Sequence, residues 1–319
     1  MKQFIQKTTL LFCIIAGIVA ALIILPPRNQ ESGYIEYMKK IGMVMNTPSK
    51  RVIFVSGSSL NTALDSQMME DSLHINVVNY GLNAGIGLKF WLDDVTPYVR
   101  KGDIVVVAPE YPQFFNDVMY GNPETLGPLM YYSNMRNITK MNLKQLLNVI
   151  KGIPSIINSN VIGAIGKKRQ APQKHSGANP SEFKSERTPS PLPPHQAENN
   201  FKPTWEYKRP LVVDEDFGNY FVQKINEMKA QGATVLIVPS VIRATAFARE
   251  RINAYAIDAF LRKHGLAYHS KPELHVVPDE DASDTDYHTN YYGRIRNTQV
   301  LINEIRPYIC RITCCAGSF

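Results

Sequence analysis

The stretch Arg51-Val-Ile-Phe-Val-Ser56-Gly57-Ser58-Ser59-Leu60 decides the fold of this 319-residue chain. Its first half is a nearly continuous run of β-branched and aromatic residues, which is typical of a strand buried on both faces. Its second half is a glycine followed by two serines, and Leu60, Leu64 and Met68 then recur at helical spacing. A buried strand that runs directly into a helix predicts the first unit of a parallel α/β sheet.

The same alternation of apolar runs and helical patterns continues along the chain. Apolar runs at 75–79, 103–108, 234–239 and 266–269 are predicted strands, and helical patterns lie between most of them. Parallel strands joined by helices form a sheet that is covered on both faces. The sequence therefore predicts a three-layer α/β fold with a five-stranded parallel sheet, and a ligand site outside the carboxyl ends of the strands.

An uncharged stretch of eighteen residues, 8–25, precedes this domain. At about 1.5 Å per residue, a helix of this length spans roughly 27 Å, which is close to the hydrocarbon thickness of a bilayer. Two lysines precede the stretch and one arginine closely follows it, so the positive-inside rule places the N-terminus in the cytoplasm. We predict that residues 1–30 are a retained single-pass membrane anchor and that the globular part is periplasmic or extracellular. A cleaved signal peptide is the alternative.

The globular part is predicted at 31–309, with one insertion and a short tail after it. The segment 167–210 holds nine Lys or Arg and four Glu, so it contributes +5 to the formal net charge of +7 and leaves +2 for the rest. It is rich in proline and poor in aliphatic residues, which predicts a disordered basic insertion. Because the charge is concentrated there, we predict no nucleic-acid partner. Three of the four cysteines lie in 310–319, which we predict to be a flexible tail.

A base and a carboxylate that could orient it lie close together near the end of the chain. The stretch Asp284-Thr-Asp-Tyr-His288 sits in a polar segment ahead of the last helical pattern. In a parallel sheet this segment can return to the serines after the first strand, which would place a histidine base beside a hydroxyl nucleophile. Either Asp284 or Asp286 could orient the ring, since spacing alone does not separate them.

These motifs resemble those of the SGNH, or GDSL-like, hydrolase superfamily. They are closer still to its membrane-anchored cell-envelope branch, which includes the DltD-like proteins. Gly57-Ser58-Ser59 is similar to the nucleophile block of that superfamily, and the stretch 284–288 is similar to its block of Asp and His. The resemblance implies a flavodoxin-like fold in which Ser59 is the nucleophile, His288 is the base and Asp284 orients the base.

The resemblance also implies that an oxyanion is held by the loop after the second strand and by a residue after the third. In the first of these loops Gly85 is the leading candidate, Gly81 is the second, and Asn83 lies between them. After the third strand the superfamily has Gly-x-Asn, whereas this chain has Ala108-Pro-Glu110. An ionised Glu110 would repel an oxyanion. It could instead be protonated, point away, or bind a substrate hydroxyl and so favour acyl transfer to a sugar.

From the motifs and the resemblance we predict a membrane-anchored serine esterase or O-acyltransferase. Its substrate would be an acylated carbohydrate or related envelope polymer, with acetyl as the expected acyl group, and a membrane protein of an acylation system would be its partner. The alternative is a noncatalytic binding or assembly protein of a polysaccharide modification system on the same fold. We predict no metal or cofactor, because the histidines form no evident ligand set and no phosphate-binding glycine loop is present. The aromatic residues that follow Glu110 are interpreted as core residues rather than as a platform for sugar rings.

Overall fold

The structure is a computed structural model that describes residues 1–24, 32–115, 117–133, 135–164 and 212–314. The predicted insertion at 167–210 and residues 315–319 lie outside the described residues.

Helices and strands alternate along the described chain. The strands are β1 Val52–Ser56, β2 Val77–Gly81, β3 Ile104–Ala108, β4 Thr234–Ile237, β5 Ile242–Arg243 and β6 Val276–Val277. The α-helices are α1 Lys2–Ile24, α2 Ser32–Asn46, α3 Ser58–Ala63, α4 Ser66–Leu73, α5 Leu88–Val95, α6 Pro123–Tyr132, α7 Leu143–Lys151, α8 Ile153–Ala164, α9 Glu215–Ala230, α10 Ala244–Lys263 and α11 Tyr291–Cys314. Short 3-10 turns lie at Ala84–Ile86, Thr96–Tyr98, Tyr111–Phe114, Val118–Tyr120, Ile138–Lys140, Pro272–His275 and Asp279–Asp281.

The central sheet has four parallel strands in the order β2, β1, β3, β4, which confirms the predicted α/β class and the parallel sheet. Ser56, at the end of β1, lies level with Gly81 on β2 and with Ala108 on β3. The chain passes from β1 to β2 on one side and then to β3 on the other, so the strand order reverses between β1 and β3. A reversal of this kind opens a crevice at the carboxyl ends of the two strands.

Alternate side chains of the sheet enter two separate cores. Ile53 and Val107 share one core with side chains of α2, α5, α6, α9 and α10. Phe54 and Val106 share the other with side chains of α3, α4 and α11. All five residues of β1 and all five of β3 are buried. The two central strands are therefore covered on both faces, as their continuous apolar runs predict.

The central sheet does not contain the fifth strand that the sequence predicts at 266–269. The segment lies beside β4, and the amide of His269 donates to the carbonyl of Ile237 at 2.7 Å. The amide of Tyr268 donates instead to the carboxylate of Asp258 on α10, at 3.1 Å. The amide of Tyr268 therefore cannot join a ladder of backbone hydrogen bonds beside β4, and the stretch is not a strand. Strands β5 and β6 form a separate parallel pair.

Both ends of the described chain are helical. Helix α1 covers most of the predicted anchor, and the side chains of Phe4, Leu10 and Phe12 on it are exposed. Within the described ranges, no helix has the length and apolar character needed to cross a membrane. The anchor therefore stays a prediction. At the other end α11 continues to Cys314, so the predicted flexible tail is helical over its first part.

A buried ion pair fixes the start of the two central strands. Arg51 and Asp103 precede β1 and β3, both are fully buried, and Arg51 Nε lies 3.3 Å from Asp103 Oδ2. The guanidinium also donates to the carbonyls of Thr47 at 2.7 Å and Tyr98 at 2.9 Å. The carboxylate accepts from the amide of Arg100 at 3.1 Å. The pair thus ties the amino end of the sheet to the segments before β1 and β3.

Removing one partner of this pair should destabilise the protein strongly. We expect Asp103→Ala to lower the free energy of unfolding by about 3–5 kcal/mol, because it leaves the buried guanidinium without its counter-ion. Urea unfolding followed by circular dichroism measures the change. Asp71→Ala, at an exposed position on α4, is the control and should cost about 0.5 kcal/mol or less. A loss for Asp103→Ala no greater than that of the control would contradict the prediction.

Candidate active site

The predicted site lies at the switch point of the sheet. Gly57 follows β1 and caps the amino end of α3, and Glu110 follows β3 by two residues. The hydroxyl of Ser56 donates to the carbonyl of Ala108 at 2.7 Å, which joins the ends of the two strands. The crevice is therefore bounded by the amino end of α3 and by Glu110.

The predicted base and acid are in contact. His288 Nδ1 lies 2.8 Å from Asp284 Oδ1, with the imidazole largely buried and the carboxylate half exposed. The hydrogen bond with His288 holds the pKa of Asp284 well below its usual range, so this carboxyl stays ionised. An ionised acceptor at Nδ1 favours the tautomer that carries its proton there and leaves Nε2 as the basic nitrogen. This is the arrangement that a general base requires.

Asp286, the alternative acid, has a different role. Its two carboxylate oxygens each lie 2.8 Å from an arginine, one from Arg243 Nε and the other from Arg249. The carboxylate is almost fully buried between these two guanidinium groups. The structure thus assigns Asp284 to the histidine and Asp286 to an ion-pair network.

Two threonines attach the histidine segment to α3. The amide of Thr289 donates to Thr62 Oγ1 at 3.3 Å, and its hydroxyl donates to the Thr62 carbonyl at 3.1 Å. The Thr62 hydroxyl donates in turn to the carbonyl of Ser59 at 3.1 Å. All three side chains are buried. These bonds hold the residue next to His288 against the helix that carries the serines.

The two serines at the start of α3 have different environments. Ser59 is fully buried, and its hydroxyl lies 2.9 Å from the hydroxyl of Ser56. Ser56 gives its proton to the carbonyl of Ala108, so its oxygen can accept from Ser59, whose hydroxyl also interacts with the carboxyl of Glu110. No hydrogen bond joins His288 to either serine in the described chain. Ser58 is partly exposed, and its hydroxyl lies 3.4 Å from Glu110 Oε1. Ser58 is therefore the more accessible hydroxyl, whereas the resemblance implies Ser59.

Glu110 is buried and sits against the turn of the serines. Its Oε1 accepts from the amide of Ser59 at 3.0 Å. A Cβ at Gly57 would lie 2.6 Å from both carboxyl oxygens, so only glycine permits this approach. Burial raises the pKa of Glu110, and hydrogen bonds from Ser59 and the positive charge that His288 can carry oppose the rise. The sequence left the direction of Glu110 open, and the structure places it on the amide that an oxyanion would use.

The loop after β2 does not offer its predicted donors to the crevice. The amide of Gly81 donates to the side chain of Asn79 at 2.9 Å, and the amide of Gly85 donates to the side chain of Asn83 at 2.8 Å. The space that a side chain would need at Gly85 is filled by Asn122, at the amino end of α6. Both glycines are thus explained by close packing and local turns. The structure brings neither amide to the site, and Asn83 faces outward.

A buried lysine that the sequence did not single out supports the same edge. Lys40 on α2 donates to the carbonyl of Gly81 and, at 2.8 Å, to the side chain of Asn61. It also lies 2.9 Å from Glu36, and burial lowers its pKa. A lysine that is four residues from a glutamate predicts only an ordinary pair on a helix surface. Its burial against β2 depends on tertiary packing, which the sequence pattern does not show.

The first aromatic residues after Glu110 belong to the core, whereas Tyr131 and Tyr132 are only partly buried. Tyr111, Phe114 and Phe115 are fully buried, which confirms their interpretation as core residues. Tyr111 packs edge-on against Tyr287, with ring centroids 6.2 Å apart. Among the residues that the structure describes, no group of three or more His, Cys, Asp or Glu is placed to hold a metal ion. The polar groups that line the crevice are hydroxyls, an imidazole and carboxyls.

Comparisons of the chain with models of known protein families, with curated proteins and with solved structures each find no match. The resemblance of the motifs to the SGNH superfamily thus stays a prediction. A fold alone does not determine an activity, so the function of this chain has to be inferred from the geometry of its site.

The raised pKa of Glu110 predicts how a neutral replacement changes stability with pH. The folded state binds the proton of the Glu110 carboxyl more tightly than the unfolded chain does. The stabilisation that this proton gives to the folded state is therefore complete at low pH, and it is lost as the pH rises through the pKa of Glu110 in the folded state. We therefore expect the melting temperature of Glu110→Gln minus that of wild type to be more positive at pH 8 than at pH 5. Thermal melts at both values test this. Glu124→Gln, at an exposed position on α6, should show no such dependence, and a pH-independent difference for Glu110→Gln would contradict the argument.

Proposed function

We propose that this protein is a serine esterase or O-acyltransferase. The observation that carries the proposal is the contact between His288 and Asp284, held through Thr289 against the helix whose first turn presents a serine hydroxyl. A basic Nε2 oriented by an ionised carboxylate can accept the proton of that hydroxyl as it attacks an ester carbonyl. The motif similarity to SGNH hydrolases, and through it the flavodoxin-like fold, belongs to the same proposal.

In this mechanism Ser58 is the nucleophile. Its oxygen attacks the acyl carbonyl while His288 takes its proton, and the tetrahedral intermediate collapses when His288 returns the proton to the leaving alcohol. Water, or a sugar hydroxyl in a transferase, then attacks the acyl-serine with His288 again as base. The choice of Ser58 over Ser59 follows from exposure, because Ser58 is partly exposed and Ser59 is fully buried.

Glu110 supplies the oxyanion donor in the proposed mechanism. Its Oε1 accepts from the amide of Ser59, so a proton on the carboxyl group resides on Oε2. A buried carboxylic acid that stays protonated can donate a hydrogen bond to a developing oxyanion, in place of the Asn that the superfamily uses. The raised pKa of Glu110 favours that form.

The substrate and the location are the parts of the proposal that depend on the sequence. The motifs resemble those of cell-envelope enzymes, which favours an acylated, chiefly acetylated, envelope carbohydrate and a membrane partner of an acylation system. The apolar stretch at 8–25 and the lysines before it favour a single-pass anchor with the site outside the membrane.

A noncatalytic binding or assembly protein is the second candidate. One observation favours it: three amides considered as oxyanion donors, those of Ser59, Gly81 and Gly85, each donate to a side chain of the protein itself. A site that satisfies its own donors needs no oxyanion to complete it.

Labelling with a serine-directed fluorophosphonate probe tests the proposal on the detergent-solubilised full chain. We expect wild type to label, and we expect Ser58→Ala and His288→Ala to reduce the labelling rate at least about a hundredfold, as loss of a nucleophile or base does. Ser59→Ala is the matched control, since it removes the neighbouring hydroxyl, and it should keep labelling.

The outcomes separate the candidates. Loss of labelling in Ser59→Ala but not in Ser58→Ala would overturn the assignment of the nucleophile and restore the serine implied by the resemblance. Absence of labelling in folded wild type would overturn the enzyme and favour the binding protein. Melting temperatures of all variants show whether a loss reflects unfolding.

A further inference from the structure

We propose that the outward face of α7 lies on the surface of a lipid bilayer and holds the globular part against it. The proposal rests on the membrane location proposed above, but not on the acyl chemistry. Leu143, Leu147 and Ile150 recur at i, i+4 and i+7 on this nine-residue helix, and they are 71%, 44% and 59% exposed. Three large aliphatic side chains therefore form one stripe that faces away from the protein.

The two amide side chains of α7 take the opposite direction. Gln145 is almost fully buried and pairs with Asn142 in a capping box at the start of the helix. Asn148 donates to the carbonyl of Gly121 at 2.7 Å. On a helix that faces water, an apolar stripe packs inward. Val149 follows this rule and lies in the core. The aliphatic stripe of α7 does not, which favours an apolar medium outside this helix.

The charges beside the stripe fit a bilayer with anionic headgroups. Residues 138–164 contain three lysines, at 140, 144 and 151, and no Asp or Glu. Lys144 and Lys151 lie on α7 itself and are exposed. Lys144 Nζ lies 2.6 Å from the carboxylate of Asp117, so Lys151 contributes most of the positive charge on this helix. An amphipathic helix with leucines on one side and lysines flanking them is typical of a segment that lies in the membrane interface.

The position of α7 beside the predicted anchor supports the same partner. Helix α8 starts two residues after α7 ends and packs against α1, whose apolar side chains are exposed. The stripe of α7 is thus joined through α8 to the segment that would enter the bilayer. A second copy of the chain could also cover an apolar stripe, but the connection of α7 through α8 to α1 favours the bilayer.

Site-directed fluorescence quenching tests the proposal on the full chain. The four native cysteines are changed to alanine, Leu147→Cys is labelled with an environment-sensitive dye, and the protein is reconstituted in phosphatidylcholine vesicles with and without phosphatidylglycerol. We expect lipids that carry a nitroxide near the headgroup to lower the emission at least about twofold, because the helix lies in the interface. Ile252→Cys, on α10 and 50% exposed, is the matched control and should not be quenched.

Each outcome decides between partners. Quenching at Leu147→Cys and not at Ile252→Cys supports the bilayer, and adding Lys144→Glu and Lys151→Glu should then weaken the effect of phosphatidylglycerol. No quenching at position 147 in vesicles that retain the protein overturns the proposal, and a disulfide-linked dimer of unlabelled Leu147→Cys would identify a second copy as the partner. Flotation of the vesicles tests the anchor separately, and probe labelling in detergent tests the chemistry, so failure of one is distinguishable from failure of the others.

Discussion

Burial of β1 and β3 on both faces is the constraint on which the rest of the structure depends. All of their side chains are enclosed, so polar groups can enter the middle of the sheet only where the strands end. At the amino ends Arg51 and Asp103 neutralise each other, and at the carboxyl ends the hydroxyl of Ser56 donates to the carbonyl of Ala108. The polar side chains that follow then converge because β1 and β3 are neighbours, although Ser59 and Glu110 are 51 positions apart.

The histidine reaches this point through a contact that depends on the whole fold. Thr62 and Thr289 are 227 positions apart, yet their backbone and side-chain groups form two buried hydrogen bonds. A buried polar group of this contact that lost its partner would cost on the order of 1–3 kcal/mol of folding free energy, so opening the contact is unfavourable. Since His288 precedes Thr289 directly, the imidazole is positioned by the same bonds. The position of His288 is thus a consequence of how the segment before α11 is attached to α3.

Four strands and the class of the fold could be predicted from the sequence, because continuous apolar runs are a local property. The stretch 266–269 could not be separated from a strand, since the carboxylate that takes its amide comes from Asp258 on the preceding helix. The choice between Asp284 and Asp286 likewise depended on two distant arginines. Ser58 and Ser59 differ by one position, which on a helix is a rotation of about 100°. That rotation leaves Ser58 partly exposed and buries Ser59.

Helix α6 links the proposed membrane face to the loop after β2. The Cα of Gly152, directly after α7, lies 2.8 Å from where a Cβ would stand on Gly127 of α6, so the two helices meet without room for side chains. At the amino end of α6, Asn122 and Thr125 pack against Gly85 in the loop after β2. Closely packed interfaces have low compressibility, so α6 should keep its position relative to α7 and to the loop after β2. If the stripe of α7 lies on a bilayer, α6 therefore fixes the distance and the angle of this loop relative to the membrane surface. A substrate held in the membrane would then reach the site in one orientation.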